Sequence, residues 1–229
     1  MRCGEGLLVI WSDIASELET DYLHWLTREH TLERVTTEGF RSARVFRALI
    51  PDKCRYLIVY ELESPDVLGG KDYVTKLNYP TLWSQRIMPS LSNFIRGGGH
   101  LLACAGTGQG GVLAAIIVDE CFPPDISTII EDLTHCDRVT TIRLVETDQA
   151  KISIETHEKR LRKNDRTFAR LILIEGADEA AITASVDRLA STAKSVVPNP
   201  ADVLLYKQVF SLNRMDVQVV GVFEEMIAQ

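Results

Sequence analysis

Glu29 and His30 are the residues whose types and placement most suggest chemistry. They sit in a helical stretch from about 16 to 35, which Gly39 ends. On a wheel of about 100° per residue, Leu18, Tyr22, Trp25, Leu26, Glu29 and Leu32 share one face. His30 falls on its flank near Leu23, and His24 points away. A carboxylate in an apolar face costs free energy unless it is paired, or else its pKa rises. A Glu raised toward neutrality is a usable general acid or base, and His30 beside it can share the proton traffic. A plainer reading stands next to this one. Glu29 pairs with Arg44 or Arg47 from the neighbouring strand, and His30 hydrogen-bonds a backbone carbonyl.

The candidates for holding a substrate surround that helix. Arg44 shares a strand face with Phe40, Ser42 and Phe46 and could grip a carboxylate or phenolate. Its counterpart Arg143, in a later strand, suggests a structural ion pair instead. Tyr56 and Tyr60 share a face and either line a pocket or pack in a core or interface. Asn78, Tyr79, Trp83 and Arg86 lie on an irregular helical segment of the kind that forms a pocket wall, although Trp83 reads equally as a core anchor. Trp25, on the face of Glu29, completes the set. His100, behind three glycines, reads as a loop residue without a role.

Two motifs are set aside. Residues 106–111, Gly-Thr-Gly-Gln-Gly-Gly, lack the G-K-[ST] ending of a phosphate loop and lead into a strand. They read as a flexible linker. Lys159, Arg160, Arg162 and Lys163, with Arg166, form a basic cluster without interleaved aromatics, read as a solvated hairpin tip. No His, Cys or Asp pair has strong metal-ligand spacing, so no metal and no tightly bound cofactor is expected.

The elements that must position these residues follow one order twice. An apolar strand at 7–12, the helix at 16–35, strands at 40–49 and 56–62, a helix opened by Ser64-Pro65-Asp66, and a strand from 93 that resumes after Gly97-Gly98-Gly99 make the first round. The second has strands at 112–118, 138–146, 167–174 and 203–212, with helices at 124–134 and 178–195. Ser42-Ala43-Arg44-Val45 parallels Thr141-Ile142-Arg143-Leu144, and Tyr60-Glu61 parallels Ile174-Glu175 more loosely. The expected architecture is α+β: two tandem ferredoxin-like βαββαβ units, residues 1–105 and 106–229. A four-stranded sheet with helices on one face leaves its other face bare, so the antiparallel sheets should pack together as an α/β barrel. The second half lacks an equivalent of Trp25 to His30, so any site belongs to the N-terminal cleft. The apolar tail at 215–229 is expected to extend the last sheet or dock on a second subunit.

Composition narrows the class. The chain has 229 residues, 45% hydrophobic and 25% charged, within the globular range. A net charge of −7 argues against nucleic acid or an anionic membrane as partner. No apolar run approaches the roughly 20 residues of a membrane helix. The start resembles a signal peptide only faintly, and that reading is rejected. The five scattered cysteines suggest reduced thiols and a cytoplasmic location.

Trp25-Leu26-Thr27-Arg28-Glu29-His30, Glu33-Arg34, Gly39-Phe40-x-x-Ala43-Arg44 and Tyr56-Leu57-x-x-Tyr60-Glu61-Leu62 resemble the dimeric α/β-barrel superfamily, nearest its EthD-like groups. The resemblance covers about residues 6 to 96. It implies a site in the cleft between sheet and helices, and a possible homodimer. It also implies a range of chemistries: cofactor-independent isomerases, lyases and cyclases, cofactor-free monooxygenases, and haem-binding enzymes. A fold with so many activities does not choose among them. Three functions remain. The first is acid/base chemistry of isomerase, lyase or cyclase type on an aromatic or oxo-acid compound. The second is a cofactor-free monooxygenase, and the third a non-catalytic ligand-binding or assembly protein. For a haem role, His30 and His100 are the ligand candidates.

Overall fold

The computed structural model describes residues 5–51, 53–197 and 199–217. Strand β1 (Gly6–Ile14) is buried almost throughout, as its unbroken apolar run requires. A helix follows in three pieces: α1 (Glu19–Trp25), a π turn (Leu26–His30) and α2 (Thr31–Thr36). Gly39, at φ +83°, turns the chain into β2 (Phe40–Ala48), which pairs with β3 (Cys54–Leu62). Ser64 caps the next short helix, its hydroxyl accepting from the Asp66 N–H at 3.0 Å. Then come α3 (Lys71–Asn78), α4 (Leu82–Ile87) and the long β4 (Ser92–Gly106). The second half runs β5 (Val112–Val118), α5 (Ile126–Thr134), β6 (Val139–Thr147), α6 (Gln149–Ile152), α7 (His157–Arg160), β7 (Arg170–Gly176), α8 (Glu179–Thr192) and β8 (Leu205–Asn213).

All eight strands close an antiparallel barrel in the order β1-β3-β2-β8-β5-β7-β6-β4. The sheet faces meet as the bare-face argument requires. Leu7, Val9, Phe46, Leu57 and Val59 from the first half share one interior cluster with Leu113, Val145, Leu171 and Leu173 from the second. Outside the barrel, one core packs Trp25 and Leu26 on Ile10 and Ile58, and another packs Leu133, Ile182 and Leu189 on Ile116 and Ile172.

Three expectations are corrected. The triple glycine does not interrupt β4. The strand passes through it continuously and changes partner there, from β1 up to His100 to β6 from Gly99 onward. Glycine is required because a Cβ on Gly98 would stand 2.5 Å from the Leu7 carbonyl oxygen, and one on Gly99 would stand 2.4 Å from that of Glu146. Residues 106–111 are not a loose tether, since the Gly110 carbonyl and N–H are bonded to buried Arg44 and Glu175. The basic cluster is solvated only in part: Arg160, Lys163 and Arg166 are exposed, whereas the Arg162 side chain is buried. The β6–β7 connection, about residues 148–169, folds back over the N-terminal helices, and its far end is stitched to β4 by bonds between Arg166 and the backbone of Phe94 and Arg96.

Cys54, Cys121 and Cys136 are free thiols, whereas Cys104 is disulfide-bonded, so the reduced-thiol expectation fails for that residue. No helix among the described residues is long and apolar enough to cross a membrane. Of the expected C-terminal docking segment, residues 218–229 lie outside the described residues.

Candidate functional site

The π turn decides what the first helix presents to the sheet. Its i→i+5 bonding turns less per residue than an α-helix, so the buried face slips by one position. His30 takes the inward place that a uniform wheel gives to Glu29, and Thr31, Arg34 and Val35 are buried while Leu32 is exposed. Trp25 stacks on the His30 ring, with centroids 4.3 Å apart and planes inclined by 28°. The Trp25 indole N–H donates to Ser84 at 3.1 Å, which fixes the far side of the stack.

A cavity of about 180 Å³ lies under this face. Ile10 and Ile58 of the sheet form its floor, Trp25, His30 and Arg34 one wall, and Leu77, Met88 and Phe94 further walls. The β6–β7 connection roofs it with Ile152, Glu158 and Arg162. Its volume is near the ~150 Å³ apolar cavity that takes up benzene, so one or two rings is the fitting ligand size. The C-terminal half therefore contributes to the N-terminal cleft.

Charge in this cavity is concentrated and mostly positive. Arg34 is buried and donates to Glu33 at 3.0 Å and to Glu158 of the roof. Burial opposes its charge, but Glu158, Tyr73 and Glu33 outweigh that and raise its pKa. The Arg162 side chain is only 5% exposed; its guanidinium lies 4.0 Å over the Phe94 ring and is held by Asp165 at 2.9 Å. Arg96 donates to the Tyr73 hydroxyl at 3.1 Å. His30 is 4% exposed. Burial first, then the charges of Arg34 and Arg162, push its pKa well below the usual imidazole range. The ring is neutral, and its buried Nδ1 meets no hydrogen-bond partner among the described residues. An imidazole with an unpartnered nitrogen, on a residue that lines an aromatic-sized, cation-lined space, can take up or deliver a proton.

Of the catalytic and substrate-binding candidates from sequence, His30 and Trp25 line this cavity and the others do not. Glu29 is half-buried and accepts a 2.5 Å hydrogen bond from the Thr81 hydroxyl, away from Arg44 and Arg47. Arg44 belongs to the barrel interior. It donates to Glu175 at 2.7 Å, to Gln208 at 2.9 Å and to the Gly110 carbonyl at 2.8 Å, so its donors are taken by structure rather than left for a substrate. Its counterpart Arg143 bonds Glu175 and Glu61, which bears out the ion-pair alternative. Tyr56 donates to Glu19 at 2.5 Å, outside the cavity. Tyr60 packs edge-on against Phe40, and its buried hydroxyl meets no partner among the described residues. Trp83 donates to Asp21 at 3.1 Å on the outer side of the helix. The Asn78 side chain accepts from the His157 N–H at 3.1 Å and so tethers the roof. His100 is exposed on β4.

Sequence reasoning missed Arg34, Glu158 and Arg162. Arg34 follows His30 by four positions and had a signal in helical spacing. Glu158 and Arg162 had none, because nothing local says that their loop covers a distant cleft.

Among the described residues no group of three or more His, Cys, Asp or Glu could hold a metal ion. Haem, which the sequence resemblance admits, does not fit the residues present. The cavity is well below the roughly 300–1,000 Å³ of drug-sized sites, and a porphyrin is larger than most of those ligands.

The closed antiparallel barrel with helices outside is of the dimeric α+β-barrel fold. Solved structures that share it include these three. One, from Fusobacterium nucleatum and provisionally named a monooxygenase, is 12% identical with a TM-score of 0.55, covering 93% of this chain and 96% of that one. An anthrone oxidase-like protein is 11% identical with a TM-score of 0.58, covering 93% and 94%. A further provisionally named monooxygenase, from Lactobacillus acidophilus, is 10% identical with a TM-score of 0.51, covering 92% and 97%. At such identities the likeness concerns the fold alone. No protein-family model and no curated protein matches the sequence.

Proposed function

We propose that the chain is a small-molecule enzyme that moves protons on an aromatic or oxo-acid compound, in isomerase, lyase or cyclase fashion, without a tightly bound cofactor. The observation that carries this reading is His30: neutral, buried, unpartnered at Nδ1, and in the lining of a cavity of aromatic size together with Arg34 and Arg162. A ligand ring lies beside Trp25, and its carboxylate or phenolate faces the arginines. That negative charge offsets the two cations that depress the imidazole pKa, so binding makes His30 a stronger base. His30 takes a proton from carbon, and the charge left on the substrate spreads to the oxygen held by arginine. Returning the proton to a different atom completes an isomerisation, or accompanies loss of a leaving group. Glu29 drops out of the catalytic role, because the π turn carries it outside the cavity.

A second reading shares the first step. Proteins of this fold include those named as monooxygenases. A carbanion formed at a ring methylene could react with oxygen without a cofactor: CH2 plus O2 gives C=O plus H2O, with the substrate supplying the electrons. The strand orders β4-β1-β3-β2 and β8-β5-β7-β6, with Arg44/Arg143 and Glu61/Glu175 at matching places, support two tandem βαββαβ units.

The test is deuterium exchange at carbon for a panel of phenols and 2-oxo acids in D2O, with dissolved oxygen followed in parallel. Exchange lost in His30→Gln supports the proposal. Oxygen uptake that tracks exchange selects the second reading. A panel in which no member binds, or in which exchange survives His30→Gln, sinks both.

A further inference from the structure

A second cleft lies outside the cavity, between α3 and the roof. It is open and about 670 Å³ in volume. Val74 and Ile154 line both spaces, so these two side chains form the partition between them. The charge of the outer cleft is one-sided. Lys71, His157 and Arg160 line it, and no carboxylate does, although the chain as a whole carries 32 acidic against 25 basic residues. The Lys71 and Arg160 side chains are exposed and engaged in no ion pair or hydrogen bond among the described residues, whereas nearby Lys76, Lys151 and Lys159 are each paired with a carboxylate. Tyr79, 79% exposed, adds an aromatic rim.

Two exposed cations and a histidine in a cleft that adjoins the inner cavity attract and hold an anion. Resting on the reading of the inner cavity as the substrate site, we infer that the ligand is bipartite. Its ring enters the inner cavity, and a flexible chain passes between Val74 and Ile154 to an anionic end group held by Lys71, His157 and Arg160. The substrate class is an aromatic compound bearing a phosphate- or carboxylate-ended tail.

The experiment compares two series by calorimetry at low salt: phenylalkyl phosphates with about two to six methylenes, and the matching phenylalkyl alcohols. The alcohols report on the inner cavity alone. In the unmodified protein the phosphate binds about tenfold tighter than its alcohol once the chain spans the partition, and added salt erases the gain. In the double variant Lys71→Glu, Arg160→Glu the phosphate-to-alcohol affinity ratio falls to about one or below, because the attraction has been reversed. A carboxylate-ended series places the preferred anion. A ratio near one at every chain length overturns the bipartite site while leaving the inner cavity standing. So does a gain that persists in the double variant. Failure of the alcohols themselves to bind overturns the inner-cavity reading, and the bipartite site falls with it.

Discussion

Trp25 and His30 lie five residues apart in one helix, yet their rings stack at 4.3 Å. In an uninterrupted α-helix the stacked neighbours are three and four apart. The π turn at Leu26–His30 is what brings residue i+5 over residue i, and both residues of the stack line the cavity.

The neutral state of His30 has a consequence for stability. Its folded pKa lies below the unfolded value near 6.5, so below that pH the unfolded chain binds the extra proton. Stability is therefore full above about pH 7 and declines as pH falls, by at most about 1.4 kcal/mol per pH unit from this residue. Urea titrations between pH 5 and 8 of the unmodified protein and His30→Gln check this. The variant should show a flatter profile over that window.

Glu29 and His30 are neighbours in sequence, but only His30 lines the cavity. Glu29→Gln disturbs only the bond from Thr81 and should change turnover less than about twofold, whereas His30→Gln should lower it about 10²- to 10⁴-fold. Steady-state rates on any substrate found by the exchange screen decide. A Glu29→Gln loss equal to that of His30→Gln would contradict the geometry.

Glu158 of the roof is ion-paired with Arg34. Glu158→Gln leaves that buried guanidinium with Glu33 alone and should cost about 2–3 kcal/mol. The same change frees donors for an anionic ligand. Benzoate should therefore raise the melting temperature of Glu158→Gln more than that of the unmodified protein, read by differential scanning fluorimetry.

Glu175 bridges Arg44 and Arg143 inside the barrel. Glu175→Leu leaves buried Arg44 without a carboxylate and Arg143 with Glu61 alone, and should destabilise by about 3–5 kcal/mol. The triple change Arg44→Met, Arg143→Met, Glu175→Leu should recover most of that loss, because an apolar set of similar volume needs no compensation. Denaturant unfolding measures both. If Arg44 were a substrate clamp instead, the triple variant would lose ligand binding while staying folded.

Several features were legible in the sequence because local patterns determine them. The unbroken apolar runs of β1 and β5, the Ser64 cap and the turn at Gly39 fix their elements with neighbours a few positions away. The repeated order of strands and helices, and the need to cover a bare sheet face, led to a closed barrel. The pairing of Arg44 and Arg143 in sequence pointed to an ion network, though not to its cross-wiring, in which Arg44 meets Glu175 and Arg143 meets Glu61.

Tertiary structure alone decided the site. A helical wheel assumes one angle per residue, so a single π turn moved the inward position from Glu29 to His30 and buried Arg34 where Leu32 was expected. The segment from Glu158 to Arg166 reads as solvated because a run of charged residues carries no local sign of the cleft it covers. Folded over the cleft, Arg162 finds Phe94 and Asp165, and Glu158 finds Arg34 across 124 positions of chain. Residue types and spacing determined the barrel and placed the candidate chemistry on its first helix. Which side chain faces the cavity, and which charges meet it there, depended on helix phase and on a distant loop, neither of which leaves a periodic trace in the sequence.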